Sequence, residues 1–317
     1  MTHVAIFGAA GPIGHVVGAE LDRRGIPFRV VGRTRSKLES IFGRMQNAEV
    51  FDADLADLRS AGAAARGVDT IIYTVGVPYT HFELHPKLMR AVIEAAASMH
   101  VQRLVLVTSV YSYGVPQARK VSETHPRQPA AFKGKMRKEQ EDAVLEADAQ
   151  GKIRGMVIRL PDFYGPYADS SLANPILRAA LAGKTANWLG PVSTPHEFLY
   201  VPDAGPVIPE LASRDDCYGQ AWNLGGAGEI TGAAFIQKVY LAAGREPKFR
   251  SVGKTLLRMA GWFNPLMREL PEMLYLQETP VILDDAKVVS KLGGLSKTSY
   301  DEGIRQTLEW MRGTPAG

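Results

Sequence analysis

The chain carries a single cysteine, Cys217, in 317 residues. One thiol cannot close an internal disulfide or supply a cysteine-based metal cluster, and such scarcity fits a reducing compartment such as the cytoplasm. No stretch approaches the ~18 uninterrupted apolar residues of a membrane-spanning helix. No charged segment followed by an apolar run opens the sequence, so we expect a cytoplasmic protein with no signal peptide and no membrane partner.

A strong surplus of charge is also absent, because 37 Lys and Arg face 33 Asp and Glu for a net charge of +4. The basic residues are scattered, whereas nucleic-acid-binding proteins carry a denser stripe or a recognisable module, so we expect no nucleic-acid partner. No group of His and carboxylate residues has metal-ligand spacing, and we predict no metal site. Ser109 lacks the Gly-x-Ser-x-Gly elbow of a hydrolase nucleophile.

The clearest positive signal is the stretch HVAIFGAAGPIGHVVGAEL, residues 3–21. An apolar run typical of a parallel strand leads into a helical pattern, with three glycines between them: Gly8, Gly11 and Gly14. In a dinucleotide-binding turn these glycines allow the turn, the approach of a pyrophosphate and close helix packing. Pro12 suits the first helical turn, so Ile13 would supply a phosphate donor. The alternative is a glycine turn without a ligand.

The second strand pattern, residues 26–33, ends in Gly32 and Arg33, where NAD sites carry an acidic residue. A guanidinium can hold a 2′-phosphate through two charge-assisted hydrogen bonds, whereas a carboxylate would repel it. The sequence therefore predicts NADP rather than NAD. The alternative is that Arg33, with Arg35 and Lys37, merely decorates the start of a solvated helix.

Strand and helix patterns then alternate through the first half of the chain, as in βαβ units. The stretch 48–58 begins with a predicted third strand and continues with Asp54 and Leu55, which would run past the adenine. Residues 68–78 predict a fourth strand. Its end would approach the central part of the cofactor through three residues: Thr74, Val75 and Gly76. A helix over 85–99 leads to a fifth strand over 101–110. We predict an α/β fold with a Rossmann-type, doubly wound parallel sheet.

These motifs and later ones resemble the extended short-chain dehydrogenase/reductase family, which includes NAD-dependent epimerases and dehydratases. The segments that carry the resemblance are DTIIYTVG, VTSVYSYG, RLPDFYGP (159–166), HEFLYVPD (196–203), WNLGG (222–226) and LGGLSKTSYDEGIRQTLEWMR. The resemblance implies a dinucleotide-binding domain over 1–165 with a return segment at 197–226, and a substrate lobe over 166–317. It also implies cofactor contacts at Leu160 and Pro161.

The same resemblance implies a homodimer paired through helices containing 85–99 and 130–147. The high charge of KGKMRKEQEDAV argues for a wet interface there, or for none.

The catalytic signature of the family is a Ser or Thr hydroxyl with a Tyr-x-x-x-Lys pair. Tyr113-Gly114 places the hydroxyl at Ser109. In KGKMRKEQE (133–141), Gly134 and Glu141 set an alignment with Lys133 at the Tyr position and Arg137 at the Lys position. An alternative register that uses Lys138 as the lysine puts Gly134 at the Tyr position, so it does not restore the Tyr-x-x-x-Lys pair.

The missing tyrosine leaves the proton donor open, and such a group contributes ~10²–10⁴-fold to rate. Tyr111 is the first candidate, because it leaves the same strand end as Ser109. Three other hydroxyls are alternatives: Tyr113, Tyr164 and Tyr200. Lys133 could act as an acid if burial and nearby cations lowered its pKa, or it could be a solvated surface lysine. Arg137 could still donate hydrogen bonds to the nicotinamide ribose, although it cannot usefully lose its proton.

Four residues of the second half are candidate substrate contacts: Tyr164, Asn174, His196 and Tyr200. The stretch 255–276, rich in Met, Leu and aromatic residues, predicts core of the small lobe or, alternatively, an apolar pocket or lid. Val110 and Tyr111 stand where sugar dehydratases of the family carry Asp-Glu, which disfavours that activity.

The sequence thus predicts an NADP(H)-dependent oxidoreductase that acts on a small carbonyl or an activated double bond. The alternatives are a non-catalytic NADP(H) sensor, and an isomerase or lyase that retains its nucleotide.

Overall fold

The computed structural model describes residues 3–169, 171–262 and 264–313. Its strands are β1 (Val4–Phe7), β2 (Phe28–Gly32), β3 (Ala48–Asp52), β4 (Thr70–Tyr73), β5 (Arg103–Ser109), β6 (Arg154–Leu160), β7 (Asp162–Tyr164), β8 (Ala186–Leu189), β9 (Pro195–Tyr200), β10 (Gln220–Asn223), β11 (Glu229–Thr231) and β12 (Phe249–Val252). Its α-helices are α1 (Pro12–Arg23), α2 (Arg35–Phe42), α3 (Leu58–Ala65), α4 (Leu84–Ser98), α5 (Phe132–Ala149), α6 (Asn174–Leu181), α7 (Ala204–Ser213), α8 (Gly232–Ala242), α9 (Lys254–Ala260), α10 (Pro265–Met273), α11 (Tyr275–Glu278), α12 (Ala286–Leu292) and α13 (Tyr300–Gly313).

The chain divides into two compact units of three segments each. The first comprises Met1–Ser109, Lys135–Arg159 and Ala204–Trp222, and the second comprises Val110–Gly134, Leu160–Asp203 and Asn223–Gly317. The segment after β5 thus groups with the second unit. Its contacts explain why, since the Tyr113 hydroxyl donates to Asn223 Oδ1 at 2.8 Å and the Val121 N–H donates to the Ile282 carbonyl at 2.8 Å.

A seven-stranded sheet, in the order β10-β6-β5-β4-β1-β2-β3, forms the centre of the first unit. The strand pairs β1/β2, β1/β4, β2/β3 and β4/β5 are parallel. The strand order reverses between β1 and β4, and in such sheets ligands bind outside the carboxyl ends of the strands at this point. The predicted α/β, Rossmann-type fold is confirmed.

Apolar side chains explain these elements, because β1 and β4 are buried along their whole length. Helix α1 buries Ile13, Val17 and Leu21 at helical spacing. The fourth strand ends at Tyr73, earlier than its apolar pattern suggests, so residues 74–76 form a loop beyond the sheet edge.

The second unit contains a three-stranded sheet, β11-β9-β7, and a two-stranded sheet, β12-β8. Its core is aromatic, with ring centroids 5.0–6.2 Å apart among Tyr164, Phe198, Tyr200, Phe235 and Tyr300. Edge-on and offset ring pairs at these distances contribute packing energy beyond their buried area.

The apolar stretch 255–276 divides between core and surface. Leu257, Leu274 and Leu276 are buried, whereas Leu256, Met259 and Trp262 are exposed, so the prediction of a core stripe is wrong for the latter three. Phe263 lies outside the described residues. Across the described ranges, the structure has no helix with the length and apolarity needed to span a bilayer.

Candidate cofactor and active site

The turn between β1 and α1 is built so that two of its glycines are required by the fold. Gly8 has a φ of +86°, and a Cβ on it would lie 2.7 Å from the backbone of Val75. A Cβ on Gly14 would lie 2.6 Å from Ala9 Cα. The turn is fixed by the Gly8 N–H, which donates to the Val31 carbonyl at 2.9 Å. Packing alone therefore explains Gly8 and Gly14.

Gly11 differs, because the fold does not require a glycine there. Among the described residues, a Cβ on Gly11 would meet only the Gly8 carbonyl oxygen, at an ordinary 3.4 Å. Its φ of −83° and ψ of 167° are open to any residue, and it is the N-cap of α1 without a side-chain capping bond. The bare backbone and the uncapped N–H groups are what a pyrophosphate needs at this place. Pro12 and Ile13 open the helix.

Arg33 follows β2 and is exposed. Its guanidinium makes no ion pair or hydrogen bond with a described residue, whereas Arg35 pairs with Glu39 and Asp52 at 2.9 Å each. The neighbour Arg35 thus has a structural role of its own. The positive charge of Arg33 is left for a ligand or for solvent.

The end of β4 borders the glycine turn. Thr74 Oγ1 donates to the carbonyls of Phe7 and Gly8 at 3.2 Å each, and Gly76 is exposed, with open space where a Cβ would stand. The remaining predicted cofactor residues lie at other strand ends. Asp54 is exposed and Leu55 buried after β3, and Leu160 and Pro161 are buried at the end of β6.

Ser109 ends β5, and its buried hydroxyl has no hydrogen-bond partner among the described residues. Arg137, on α5, donates to Gln140 Oε1 at 2.9 Å and lies 5.5 Å from the Phe82 ring centroid. Burial, with the nearby Arg137 charge, lowers the pKa of His85 well below its usual range. His85 is therefore neutral, and Arg137 supplies the positive charge of this region.

Lys133 is buried and held by two carboxylates. Its side chain is 1% exposed, and Nζ donates to Glu269 at 2.5 Å and to Glu272 at 2.9 Å. Its backbone N–H donates to the other Glu272 oxygen at 2.9 Å. The alternative of a solvated surface lysine is wrong, because α10 supplies carboxylates that the sequence did not suggest.

The start of α5 also lies close to Tyr111. A Cβ on Gly134 would stand 2.8 Å from the Tyr111 carbonyl oxygen and 2.6 Å from Pro129 Cβ. Glycine is needed here for the helix to approach this backbone, which supports the alignment of Gly134 with the glycine of the family motif.

A small cavity in the second unit brings Tyr111 and His196 together with two carboxylates, Asp162 and Glu197. Its volume is about 20 Å³, enough for one water molecule. Leu276 and Val281 are among its apolar lining residues. Sequence reasoning missed Asp162 and Glu197. The available signal for Asp162 was its position directly after the apolar run of β6.

The carboxyl of Asp162 has a raised pKa. Burial raises its pKa to about 6, and a hydrogen bond from Gln277 opposes that rise. Burial lowers the pKa of His196 to about 4, so this imidazole is neutral at pH 7. Burial raises the pKa of Glu197, although its two oxygens accept from the N–H groups of Leu283 at 2.9 Å and Gly226 at 3.1 Å. Glu197 is thus tied to the backbone, whereas Asp162 can exchange a proton.

The other predicted substrate contacts lie in the core of the second unit. Tyr164 is buried among aromatic rings, and the Tyr200 hydroxyl donates to Gln306 at 2.7 Å. Asn174 is fully buried and exchanges two hydrogen bonds with the backbone of Gly165, at 2.9 and 3.2 Å. The structure gives these three side chains packing and bonding roles inside the lobe. In the described part of the chain, no group of three or more His, Cys, Asp or Glu could hold a metal ion.

Residues 8–150 match the family model described as NAD(P)H-binding. A curated relative, dTDP-6-deoxy-L-talose 4-dehydrogenase (NAD(P)(+)) of Kitasatospora kifunensis, is 27% identical over 247 residues, which cover 74% of this chain and 77% of the relative. The region matched by the family model contains the glycine turn, Arg33 and the start of α5.

Solved structures share the fold across nearly the whole chain. A dTDP-glucose 4,6-dehydratase from Bacillus anthracis in complex with NAD gives a TM-score of 0.83 at 16% identity, covering 99% of this chain and 98% of that one. A UDP-glucose 4-epimerase from Thermotoga maritima with UDP-glucose gives 0.81 at 17% identity, covering 98% and 99%. The comparisons thus give a match to an NAD(P)H-binding model over residues 8–150 and a fold shared with dehydratase and epimerase structures.

Proposed function

We propose that the protein is an NADP(H)-dependent oxidoreductase that interconverts a secondary alcohol and a ketone. The observation that carries this proposal is Gly11, a glycine that the fold does not require and that leaves the N-terminus of α1 open. A nicotinamide dinucleotide held there would supply the hydride-transfer chemistry. The residues of the chain bind the cofactor, orient the substrate oxygen and move a proton.

NADP is favoured over NAD by the free guanidinium of Arg33. Fluorescence titration with NADPH and NADH tests this preference. An Arg33→Ser variant is expected to lose about 10–100-fold in NADPH affinity, as befits a lost bidentate ion pair, and to change little toward NADH. Lys37→Ser, which removes an exposed charge from the same helix start, is the matched control. Equal binding of both cofactors by the unaltered protein would refute the preference.

Tyr111 is the proposed proton donor, and Asp162 would resupply its proton through a water molecule, for which the cavity has room. Both side chains line the same cavity, and a carboxyl with a pKa of about 6 can give and take a proton near neutral pH. Ser109, whose hydroxyl lacks a partner among the described residues, would hydrogen-bond the substrate oxygen. Arg137 would bind the ribose.

The proposed substrate class is a nucleotide-linked deoxysugar, on the strength of the relative that oxidises dTDP-6-deoxy-L-talose according to its name. The test mixes purified protein with dTDP-6-deoxy-L-talose and NADP⁺, and separately with NADPH and a panel of ketones and enones, and follows absorbance at the nicotinamide band. Tyr111→Phe should lower turnover about 100-fold with NADPH affinity unchanged. Undiminished turnover would remove Tyr111 from the mechanism.

A non-catalytic NADP(H)-binding sensor is the second candidate, and the burial of Lys133 between two carboxylates favours it. Lys133, at the position of the family's tyrosine, forms structural ion pairs. This is expected of a protein that does not transfer a proton at this position. Tight NADPH binding without turnover of any substrate in the panel would support the sensor.

A further inference from the structure

The segment 247–268, here called the basic segment, carries a local surplus of positive charge. It contains five Lys or Arg and no Asp or Glu, although the whole chain has a net charge of only +4. All five cations are exposed: Lys248, Arg250, Lys254, Arg258 and Arg268. None of them forms an ion pair within the part of the chain that the structure describes. Their positive charge is therefore uncompensated by the protein.

Large apolar side chains are exposed on the same segment. Leu256 is 47% exposed, Met259 56% and Trp262 78%. They follow each other at intervals of three residues, and the helical turn of α9 continues through the bond from the Trp262 N–H to the Met259 carbonyl at 3.2 Å. Residues at this spacing are neighbours on a helix surface. The three side chains thus form one apolar ridge beside the cations.

The ridge is held outward by packing on the opposite side. Leu257, 1% exposed, joins Val252 and Leu274 in a small core. Strand β12 pairs with β8, and Arg250 donates to Asn187 Oδ1 at 2.6 Å, so the entry to α9 is fixed. Gly261 packs tightly against the backbone of Arg268, at 3.1 Å from where a Cβ would be, at the turn into α10. The exposed residues are therefore presented by an anchored scaffold.

We infer that the basic segment docks the protein on an anionic lipid surface. Trp and Met insert at the boundary between headgroups and acyl chains, where an apolar body is buried and an indole N–H still finds a polar partner. Unpaired Lys and Arg next to such side chains are attracted by anionic headgroups, each by about fivefold in binding. A second copy of this chain is the competing occupant, and the experiment separates the two.

The test is flotation of the full chain with vesicles of phosphatidylcholine alone and with 30% phosphatidylglycerol. We expect binding to the anionic vesicles only, weakened several-fold by 0.5 M salt because surface attraction is screened. A Met259→Ser/Trp262→Ser variant should lose at least tenfold in binding, and Lys254→Glu/Arg258→Glu a comparable amount. Trp fluorescence should shift to the blue on vesicle addition in the unaltered protein, and less so in Trp262→Ser.

Matched controls use exposed residues elsewhere. Leu58→Ser, at a side chain 54% exposed in the first unit, and Arg66→Glu/Lys120→Glu should leave vesicle binding unchanged. Absence of binding to anionic vesicles, or equal losses in the control variants, would overturn the inference. A change in oligomeric state by light scattering on Met259→Ser/Trp262→Ser, without vesicle binding in the parent, would assign the ridge to a protein contact instead.

Discussion

The glycine turn at 8–14 and the start of α5 at 132–141 are both regions where the family pattern predicts function, and they behave differently. In the turn, the backbone geometry determines which residue is allowed, because Gly8 and Gly14 are packed against main chain. At the start of α5, side-chain contacts determine the role of the residue, because Lys133 is bonded to carboxylates of α10. A site made of backbone can be found in a sequence by its glycines, whereas a site made of side chains depends on partners that the local pattern does not contain.

The ion pair of α5 in the first unit gives the largest expected effect. Arg159, 1% exposed, is bonded by Glu141 at 2.7 and 3.0 Å. Glu141→Ala leaves a buried cation without this carboxylate and should lower the free energy of unfolding by about 3–5 kcal/mol. Urea denaturation measures it, with the exposed Glu139→Ala of the same helix as control, expected within about 0.5 kcal/mol. Equal effects would show that Glu141 is hydrated in solution.

The turn can be tested by separating its two kinds of glycine. Gly8→Ala places a Cβ against the Val75 backbone at a positive φ and should cost about 3 kcal/mol of stability. Gly11→Ala should cost less than about 0.5 kcal/mol but weaken NADPH binding at least tenfold, because its Cβ enters the space of the pyrophosphate. Thermal unfolding and NADPH titration give the two readouts. Similar destabilisation by both would contradict the distinction.

Lys133 tests the other side of the comparison. Lys133→Met keeps the length of the side chain but leaves Glu269 and Glu272 without their shared cation, for an expected loss of about 2 kcal/mol. The exposed Lys135→Met should change stability by less than about 0.5 kcal/mol. Turnover per folded molecule should fall less than tenfold. A fall above 100-fold with unchanged stability would make Lys133 the proton donor and displace Tyr111.

Asp162 makes the free energy of unfolding depend on pH, and the sign of this effect follows from its burial. Because the folded state raises the pKa of Asp162 from 3.8 to about 6, it binds more protons than the unfolded state in that range. The stability that protonated Asp162 contributes is therefore fully present below about pH 4 and is lost as the pH rises through 6. Relative to Asp162→Asn, which cannot ionise, the protein should lose about 2 kcal/mol between pH 4 and pH 7. Urea denaturation of both proteins across this range measures the difference, and parallel curves would show that Asp162 is ionised throughout.

Several elements were predictable because their signals are local. The buried strands β1 and β5 follow apolar runs, and the first helix follows the spacing of Ile13, Val17 and Leu21. The absence of an acidic residue at the end of β2 was equally visible in the sequence. Strand ends were less accurate, since the apolar pattern of β4 extends into residues that leave the sheet.

Partners distant in the chain were not predictable. Lys133 binds carboxylates 136 and 139 positions away, and Tyr111, Asp162 and His196 share a cavity only through folding. The sequence also did not predict which apolar side chains are exposed. Leu256 and Leu257 are adjacent and identical in type, yet Leu257 is buried and Leu256 lies on the surface.

The sequence by itself determined the sheet, the glycine turn and the charge of Arg33, because these depend on the period of apolar residues and on single backbone positions. The tertiary structure decided the ion pairs of Lys133, the raised pKa of Asp162 and the exposed face of the basic segment. The physical reason is that burial and ion pairing depend on which distant side chains fill the surrounding volume.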